Sequence, residues 1–386
     1  MVIIGGGIAG TFLGYFLENE GFDVTIIHNG KKPPLVDLVF SNMLPSTSDI
    51  NVTKETMRIY RNLEEEYKER FLKNYVALHI YPNLDSLKMV EPVIGDIEGA
   101  GVKVKVLDSK EAHEITGLRY GEQEYVIMGE YEYLVSIRRI IDILHRRLRI
   151  IHDNARLIIK DNKAIALTKN GELNADSIVL AAGGWNVEIA RDAGLDLPLV
   201  NYGTRALLIL GKTKLNKYSI SDYTYDYYTR PMGNVFDGIA FIAGDGNVKT
   251  NNLRRVKELT DGSYRNWLIG SMKKRDDRNM VSLIAGYGLV EMAYDYEPVI
   301  GKVGKVENLY LIGGLDGYGA KLGPGLAFEL SRIIMGLKPT INISCYDIAR
   351  FNEYDGPHDV NPLWEPVMLY LPAPNGGSPC FYKTKL

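Results

Sequence analysis

Three glycines near the start of the chain have the spacing of a phosphate-binding turn. Gly5, Gly7 and Gly10 form the pattern G-x-G-x-x-G directly after the apolar run of residues 1–4. Such glycines let the backbone approach a pyrophosphate, and the helix that follows directs its N-terminal N–H groups at it. The pattern predicts a dinucleotide site; the alternative is a tight strand-to-helix turn without a ligand.

The residue that would bind the ribose of such a ligand is not of the usual type. An Asp or Glu normally ends the second strand, about 20 residues beyond the glycines, and here His28 ends the run 23–28. A neutral imidazole has one acceptor and one donor, so it can bond one ribose hydroxyl but cannot accept from both. The alternative is that Asn29 makes this contact and His28 only ends the strand.

A second glycine-rich segment lies in the last quarter of the chain. Residues 313–325 follow a predicted strand over 309–312 and precede a predicted buried helix over 326–337. The glycines permit close approach of the backbone to a ligand, and we expect the helix to start near Pro324 with its positive end toward that ligand. The alternative is a glycine-rich turn before a core helix.

Composition limits the class of protein. The chain has 386 residues, 46% of them hydrophobic and 24% charged, and a net charge of −3, which favours a globular protein of about two to three domains and disfavours nucleic-acid binding. The two cysteines, Cys345 and Cys380, lack the spacing of a metal or redox pair, and no signal peptide or long apolar run is visible. We therefore expect a reduced, cytoplasmic protein without a metal site. The single glutamine, Gln123, weakly indicates a thermophilic source.

Periodicity predicts further elements between the two glycine-rich segments. Apolar residues at helical spacing predict helices over 53–74 and 136–147, each with a charged, solvated face. Alternating runs separated by turn residues predict a β-meander, with strands at 156–159, 164–168 and 177–181.

The stretch from 202 to 285 is rich in aromatic and strand-forming residues. Tyr223, Tyr225 and Tyr227 alternate with polar residues, so we expect three rings on one face of a strand. That face would cover the ligand or form an oligomer contact.

Three segments resemble the D-amino-acid oxidase superfamily of FAD-dependent oxidoreductases, which includes glycine oxidase, sarcosine oxidase and dye-linked proline dehydrogenase. The matching segments are 2–10, 176–185 (DSIVLAAGGW), and 297–301 (EPVIG) with 313–325 (GGLDGYGAKLGPG). With their spacing they span nearly all of residues 1–340. The resemblance implies an α/β fold in which a Rossmann-like FAD-binding domain of the glutathione-reductase type carries an inserted antiparallel β-sheet substrate domain.

The resemblance also implies how the chain is divided. The FAD-binding domain is expected to be discontinuous and the substrate domain to come in two pieces, followed by a C-terminal extension. The expected ranges are 1–80, 146–200 and 286–344 for FAD binding, 81–145 and 201–285 for the substrate, and 345–386 for the extension.

Family members place FAD-contacting residues in the three matching segments and beside the second strand. The third segment would run along the isoalloxazine ring. The contacts expected here are Gly5, Gly7, Ile8, Ala9, Gly10, His28, Asn29, Ser41, Asn42, Gly183, Gly184, Trp185, Gly313, Gly314, Leu315, Gly317, Gly319, Ala320, Lys321 and Leu322.

Three residues are candidates for substrate binding and catalysis. Comparison with the Gly-His-Gly-Phe-Lys stretch of sarcosine oxidase implies that Lys321 holds a substrate carboxylate above the flavin; the alternative is a surface lysine. Tyr318 replaces the histidine of that stretch and either offers its hydroxyl to the substrate or packs. Arg230, in a Tyr-x-Arg-Pro strand, either clamps an acid group or forms a structural salt bridge. The carboxylate-binding arginine of amino-acid oxidases is replaced by Val290. This replacement favours Lys321 and Arg230 as the residues that bind a substrate carboxylate.

The resemblance implies an FAD-dependent dehydrogenation of a small amino, imino or hydroxy acid. The cysteine for covalent flavin attachment would fall near Gly288 and the oxygen-activating lysine near Ala240, and both are missing. We therefore expect non-covalent FAD and a dehydrogenase that passes electrons to a quinone, a dye or a partner protein. The alternatives are a flavin-carrying subunit of a heteromeric dehydrogenase and an enzyme for a bulkier, uncharged substrate. An oligomer is possible on either view.

Overall fold

The structure is a computed structural model that describes residues 1–30, 38–40, 47–88, 90–99, 103–233, 235–304, 306–352 and 358. The helices, in chain order, are α1 (Ile8–Asn19), α2 (Thr47–Tyr67), α3 (Leu84–Lys88), α4 (Glu91–Gly99), α5 (Ser109–Thr116), α6 (Ile137–Arg147), α7 (Asn186–Asp192), α8 (Leu253–Glu258), α9 (Gly262–Arg275) and α10 (Gly319–Ile334). The strands are β1 (Val2–Ile4), β2 (Thr25–His28), β3 (Leu38–Phe40), β4 (Leu72–Tyr81), β5 (Val104–Asp108), β6 (Tyr125–Val135), β7 (Arg149–His152), β8 (Arg156–Lys160), β9 (Lys163–Thr168), β10 (Gly171–Leu173), β11 (Ile178–Leu180), β12 (Leu199–Leu210), β13 (Tyr218–Asp222), β14 (Tyr227–Pro231), β15 (Ala240–Gly244), β16 (Asn247–Val248), β17 (Val281–Ala293), β18 (Val299–Lys302) and β19 (Leu309–Gly313).

The first sheet is built on parallel strands from both ends of the chain. Its order is β18-β19-β11-β1-β2-β7, and only the β18–β19 pair is antiparallel. Strands β1 and β11 are buried apolar runs, as expected of parallel strands covered on both faces. Helices α1, α2, α6 and α10 pack on one face. The order places β1, and the glycines that follow it, between β2 and the distant strand β11.

A small antiparallel sheet covers the opposite face. β8, β9 and β10 form an antiparallel meander that contains the first two predicted strands, and Leu157, Ala164 and Ala166 pack against the parallel sheet. The predicted third strand of this meander, 177–181, is instead β11 of the parallel sheet. Its buried, uninterrupted apolar run is that of a parallel strand rather than of an exposed hairpin.

The second sheet is large and mostly antiparallel. Its order is β16-β12-β15-β14-β13-β4-β6-β3, with β17 paired to β12 and β5 paired to β6. The pair β4–β13 is parallel. Because β4 spans 72–81 and β17 spans 281–293, the predicted domain boundaries at 80 and 286 fall inside strands of this sheet. The expected α/β fold with an inserted second sheet is confirmed.

One face of the second sheet is apolar and packs on helices. Leu78, Ile80, Ile220 and Phe241 join residues of α5 and α9 in one buried cluster. Since side chains alternate along a strand, the residues between these apolar positions face the opposite side of the second sheet, away from α5 and α9.

A buried ion-pair cluster fixes the hairpin between β13 and β14. Arg275 donates to Asp222 at 2.7 and 3.0 Å and to Glu124 at 2.5 and 2.8 Å. Asp222 in turn accepts the backbone N–H groups of Thr224 and Tyr225, both at 3.1 Å. The cluster therefore connects α9, the end of β13 and the segment before β6.

Two predicted elements differ from the structure. The helix expected over 53–74 is α2, which ends at Tyr67 before β4 begins at Leu72. The three alternating tyrosines do not share a strand, because residues 223–226 form the hairpin turn between β13 and β14. Asp226 takes the left-handed conformation, with φ of 54°.

The chemical environment of the chain is only partly defined. In the described part, no helix is both long enough and apolar enough to cross a membrane. Cys345 is disulfide-bonded, so the expectation of a reduced thiol there is wrong. It lies with Tyr346 in the core under the parallel sheet.

Candidate active site

The first glycine-rich turn has the close contacts that its spacing predicts. Gly5 has a φ of 117°, and a Cβ there would overlap the carbonyl oxygen of Ala181 on the neighbouring segment. A Cβ on Gly10 would overlap the carbonyl oxygen of Gly5, so α1 starts directly against the turn. A Cβ on Gly7 would meet nothing within 4 Å. The turn is therefore tightly packed on one side and open at the N-terminus of α1.

Two helix N-termini lie side by side at this open space. A Cβ on Gly319, the first residue of α10, would lie 3.3 Å from the Cδ1 atom of Ile8, the first residue of α1. Neither of these fully described helices has a side-chain cap or an acidic residue in its first turn. The first N–H groups of a helix have no acceptor within it, and its N-terminus is partially positive. The two ends together favour an anionic ligand.

The sequence predicted that α10 starts near Pro324, but the helix begins at Gly319. The proline lacks the N–H that would bond the carbonyl of Ala320, and Tyr60 Oη of α2 donates to that carbonyl at 2.6 Å. The N–H of Gly325 donates to Thr56 Oγ1 at 2.9 Å. Contacts from α2 thus replace intrahelical bonds, and the helix continues through the proline.

His28 lies where a ribose contact was expected. It ends β2 half-buried and packs on the glycine turn, since a Cβ on Gly6 would lie 2.9 Å from His28 Cβ. The rings of His145 and His152 lie 5.4 and 6.1 Å away. Burial, and then the charge of His152, lowers the pKa of His28, so its imidazole is neutral at pH 7 with one donor and one acceptor. Asn29, the alternative, is exposed.

The middle segment contributes a short 3₁₀ turn, Gly183–Trp185. A Cβ on Gly184 would lie 2.7 Å from the carbonyl oxygen of Leu289, so the turn packs closely on β17 of the second sheet. Gly183 is exposed, has a φ of 56° and has open space beside it, and Trp185 is half-buried.

A buried carboxyl group joins this turn to the third segment. Glu291 of β17 accepts hydrogen bonds from Asn186 Nδ2 at 2.9 Å and from the N–H of Gly314 at 3.1 Å. Burial raises the pKa of Glu291 to about 8, against the lowering effect of these two donors. The residues expected along the flavin from this third segment lie in the turn after β19, at Gly313, Gly314, Leu315 and Gly317, and in the first turn of α10, at Gly319, Ala320, Lys321 and Leu322.

A row of polar side chains crosses the second sheet on the face opposite to the one that packs on α5 and α9. Ser221 of β13 pairs with His79 of β4 on one side and with Tyr228 of β14 on the other. Arg230 follows Tyr228 by two residues and therefore shares this face. Its guanidinium lies 5.0 Å from the centre of the Tyr228 ring.

Arg230 is held by oxygen atoms of the sheet. It donates to the carbonyls of Ile220 at 2.6 Å and Thr229 at 3.0 Å, and to Ser221 Oγ at 3.3 Å. Within the described residues it has no carboxylate partner at salt-bridge distance, so the salt-bridge alternative is not supported there. The guanidinium is therefore oriented by neutral groups.

The charges of Lys321 and Arg230 both act on His79. Lys321 is only 3% exposed, which is inconsistent with a surface lysine, and its Nζ lies 4.5 Å from the centre of the Tyr318 ring. Burial, and then the charges of Arg230 and Lys321, lowers the pKa of His79 to about 3. His79 Nδ1 lies 3.3 Å from Tyr223 Oη. Lys321 and Arg230 thus lie near one neutral histidine, and the Tyr318 ring lies beside Lys321.

Two residues of this arrangement were missed by sequence reasoning. Sequence analysis does not single out His79, although its alternation with buried Leu78 and Ile80 places it on the opposite face of a strand. Glu291 is not singled out either, although a single carboxylate in the apolar strand β17 is itself unusual.

Some expectations cannot be compared with the structure. Ser41 and Asn42 lie outside the described residues. Across the described ranges, no group of three histidine, cysteine or acidic side chains could hold a metal ion.

FAD fits the residues of the first domain. The open glycine turn and the two adjacent helix N-termini suit a pyrophosphate, and His28 packs beside the turn at the position of a ribose contact. The glycine turn before α10 leaves room for a ring system close to the backbone. Lys321 lies in the first turn of α10, directly after this glycine turn, and Arg230 lies on β14 of the second sheet.

The whole chain resembles flavoenzymes. A family model described as FAD dependent oxidoreductase matches residues 1–333. YurR, an uncharacterised oxidoreductase of Bacillus subtilis (strain 168), is 21% identical over 373 residues, covering 90% of this chain and 98% of that protein.

Solved structures share the fold at low sequence identity. L-proline dehydrogenase from P. horikoshii has a TM-score of 0.78 at 18% identity, covering 91% of this chain and 96% of that one. Glycine oxidase from Geobacillus kaustophilus has a TM-score of 0.77 at 14% identity, covering 92% and 98%. Since the family model spans most of the chain, the chain belongs to the family of FAD-dependent oxidoreductases related to D-amino-acid oxidase.

Proposed function

We propose that the enzyme dehydrogenates a small amino, imino or hydroxy acid at the carbon next to its carboxylate. The observation that carries this proposal is the pair of cationic side chains, buried Lys321 and half-buried Arg230, whose charges both act on neutral His79. Cations shielded from water attract a carboxylate more strongly than solvated ones do, so this pair favours a substrate that carries one. L-proline dehydrogenase and glycine oxidase, which share the fold, are named for substrates that carry a carboxylate.

Each of the three residues has a distinct role in this proposal. Lys321 binds the carboxylate as a desolvated point charge. Arg230, oriented by three sheet oxygens, clamps the acid group with its remaining donors. Tyr318 orients the substrate through its hydroxyl, and its ring lies beside the Lys321 ammonium. When bound, FAD supplies the redox chemistry by accepting a hydride at N5.

The electron acceptor is proposed to be a quinone, a dye or a partner protein rather than oxygen. The lysine that assists the oxygen reaction in sarcosine oxidases would fall near Ala240, a buried residue at the start of β15. The cysteine used for covalent attachment would fall near Gly288 in β17, so FAD is proposed to be held non-covalently. Aerobic turnover should accordingly be slow compared with turnover in the presence of an artificial acceptor.

A bulkier, uncharged substrate is the second candidate. Val290 stands where amino-acid oxidases carry an arginine, and it packs with Tyr202 and Met292 in a small apolar cluster. An apolar wall at this position suits a hydrocarbon substituent better than a second acid group.

The test is anaerobic reduction of the purified, yellow holoenzyme. Visible absorption is followed while D- and L-amino acids, proline, sarcosine and 2-hydroxy acids are added one at a time. Bleaching by an acid, but not by its amide or methyl ester, supports the carboxylate site. Bleaching by uncharged compounds alone favours the second candidate, and no bleaching by any compound contradicts an independent dehydrogenase and favours a partner-dependent flavin subunit.

A further inference from the structure

Glu291 connects all the elements that surround the third glycine segment. It belongs to β17 of the second sheet, but its side chain bonds Asn186 of α7 and the N–H of Gly314. Its own carbonyl oxygen accepts the N–H of Asp316 at 3.1 Å. One residue of the second sheet therefore holds two backbone segments of the first domain.

Asn186 extends this connection to the middle glycine segment. Its Oδ1 accepts the N–H of Ala182 at 2.7 Å, and its Nδ2 also approaches the carbonyl of Ile312 at 3.3 Å. Asn186 is fully buried. Replacing Glu291 by an apolar residue would leave the amide of Asn186 and the N–H of Gly314 without this acceptor, which is costly in a buried site.

The carboxyl group is packed as well as bonded. A Cβ on Gly313 would lie 2.7 Å from Glu291 Oε1, so this oxygen sits directly on the backbone of the turn. The other oxygen, Oε2, is buried and has no hydrogen-bond partner among the described residues. Since Oε1 accepts two hydrogen bonds, Oε2 is the oxygen that carries the proton of a neutral carboxyl group.

The electrostatic surroundings favour that neutral form. Burial raises the pKa of Glu291 to about 8, and the N–H of Gly314 and the amide of Asn186 oppose the rise. The groups packed on the side chain are an amide and glycine backbone; Asp316 lies in the same turn and contacts Glu291 through its N–H. Among the described residues no charged side chain contributes to the shift.

We propose that Glu291 is a positioning residue for FAD, which holds the turn of Gly313 and Gly314 and the segment of Ala182 and Asn186 together as a neutral carboxyl group. Ionisation would place an uncompensated negative charge beside the site of an anionic cofactor, so FAD binding weakens as Glu291 loses its proton. The inference does not depend on which acid is the substrate.

The test measures FAD release from the holoenzyme. Holoenzyme is diluted in series, and the fluorescence of released flavin gives the Kd for FAD between pH 6.5 and 9. If only the neutral form binds, a pKa of about 8 predicts a Kd roughly tenfold higher at pH 9 than at pH 7. Glu291→Gln keeps an acceptor for both donors and cannot ionise, so its Kd should stay within about twofold of the wild type at pH 7 and remain flat to pH 9.

Two further variants separate positioning from general stability. Glu291→Ala should raise the Kd about tenfold or more at pH 7, because two buried donors lose their acceptor. Glu329→Gln is the matched control: this glutamate of α10 is fully buried and bonds Thr340, away from both turns. It should leave the Kd and its pH dependence unchanged.

The outcomes decide both parts of the proposal. A wild-type Kd that is flat to pH 9, or a Glu291→Gln variant that keeps the wild-type pH dependence, overturns the role of the neutral carboxyl group. Wild-type FAD affinity in Glu291→Ala overturns positioning. If Glu291→Ala does not fold, weakened FAD binding at pH 7 in a folded Glu291→Gln overturns the proposal, and retained binding with a flat pH profile supports it.

Discussion

At the scale of single residues, the active site depends on charges held away from water. Lys321 is buried against the ring of Tyr318, and Arg230 is fixed to carbonyl oxygens of its own sheet. A desolvated cation attracts a carboxylate far more strongly than a solvated one does. His79, located near both cations, remains neutral and adds no third charge.

Replacing Lys321 with methionine tests its contact with the carboxylate. Lys321→Met retains a buried chain of similar length, so FAD should stay bound and the visible spectrum should be preserved. The rate of anaerobic flavin reduction by an acid substrate should fall by about 100-fold or more, as expected when a buried charged contact is lost. Unchanged kcat and KM for such a substrate would exclude the carboxylate role.

The neutral state of His79 predicts how stability depends on pH. The pKa of His79 is about 3 in the fold and about 6.5 in an unfolded chain. Between these values the unfolded chain binds the extra proton, so the free energy of unfolding falls as the pH falls below about 6.5. One such group contributes a slope of up to about 1.4 kcal/mol per pH unit.

Denaturant unfolding at pH 5 and pH 7 measures this slope. His79→Gln should reduce the difference in unfolding free energy between the two pH values, leaving the share of His145, whose pKa is lowered to about 4, mainly by burial. His113→Gln, at an exposed position, should not change the difference. An identical slope in wild type and His79→Gln would contradict the neutral buried histidine.

At the scale of elements, α2 stabilises the start of α10. Pro324 leaves the carbonyl of Ala320 without an intrahelical donor, and Tyr60 Oη supplies one. This first turn also carries Lys321. A contact between two helices therefore defines the backbone that carries Lys321, the residue proposed to bind the substrate carboxylate.

A double-mutant cycle tests this contact. Tyr60→Phe should lower the free energy of unfolding by about 1–3 kcal/mol, because the carbonyl of Ala320 becomes a buried acceptor without a donor. In a Pro324→Ala background the restored N–H can bond that carbonyl, so the same substitution should cost less. Equal costs in both backgrounds, measured by urea unfolding, would show that the proline and the tyrosine act independently.

Sequence patterns predicted the elements whose signals are local. The strand, glycine turn and helix over residues 2–19 needed only apolar periodicity and glycine spacing. The start of α10 was misplaced because proline is usual in a first turn, and the compensating hydroxyl of Tyr60 lies 260 residues away. The alternating tyrosines resembled a strand, whereas Asp222, fixed by Arg275, bonds the backbone of a turn there.

The candidate site likewise contains residues that a local sequence pattern identifies and residues that it does not. The glycines and Lys321 stand in continuous motifs, so the sequence was sufficient to single them out. His79 and Glu291 gain their roles from partners on other strands and helices, such as Ser221 and Asn186. Such partners follow from sheet order and register, which the sequence does not state directly.

At the scale of the whole molecule, the site is assembled from the parallel sheet and the second sheet. The strands of each sheet come from separate segments of the chain, with strands of the other sheet between them. The cofactor turns and Lys321 follow strands of the parallel sheet, and His79 and Arg230 lie on the second sheet. The hairpin turn of residues 223–226 in the second sheet brings Tyr223 to His79. The buried cluster of Arg275, Asp222 and Glu124 holds this hairpin.

Removing the cation of that cluster should affect the entire fold. Arg275→Leu leaves Asp222 and Glu124 buried without their shared partner, so the free energy of unfolding should fall by about 3–5 kcal/mol. The matched control is Arg139→Leu, which removes an exposed pair with Glu69 and should cost about 1 kcal/mol or less. Similar losses for both variants in urea unfolding would contradict the structural role of the cluster.

The order of the parallel sheet has a consequence for synthesis of the protein on the ribosome. β1 lies between β2 and β11, and β11 pairs with β19, so one edge of β1 stays unpaired until residues 178–180 are made, and β11 in turn waits for residues 309–313. The glycine turn and helix that complete the cofactor site come later still, ending at Ile334. We therefore expect a nascent chain to complete the FAD site only after residues up to the end of α10 have emerged.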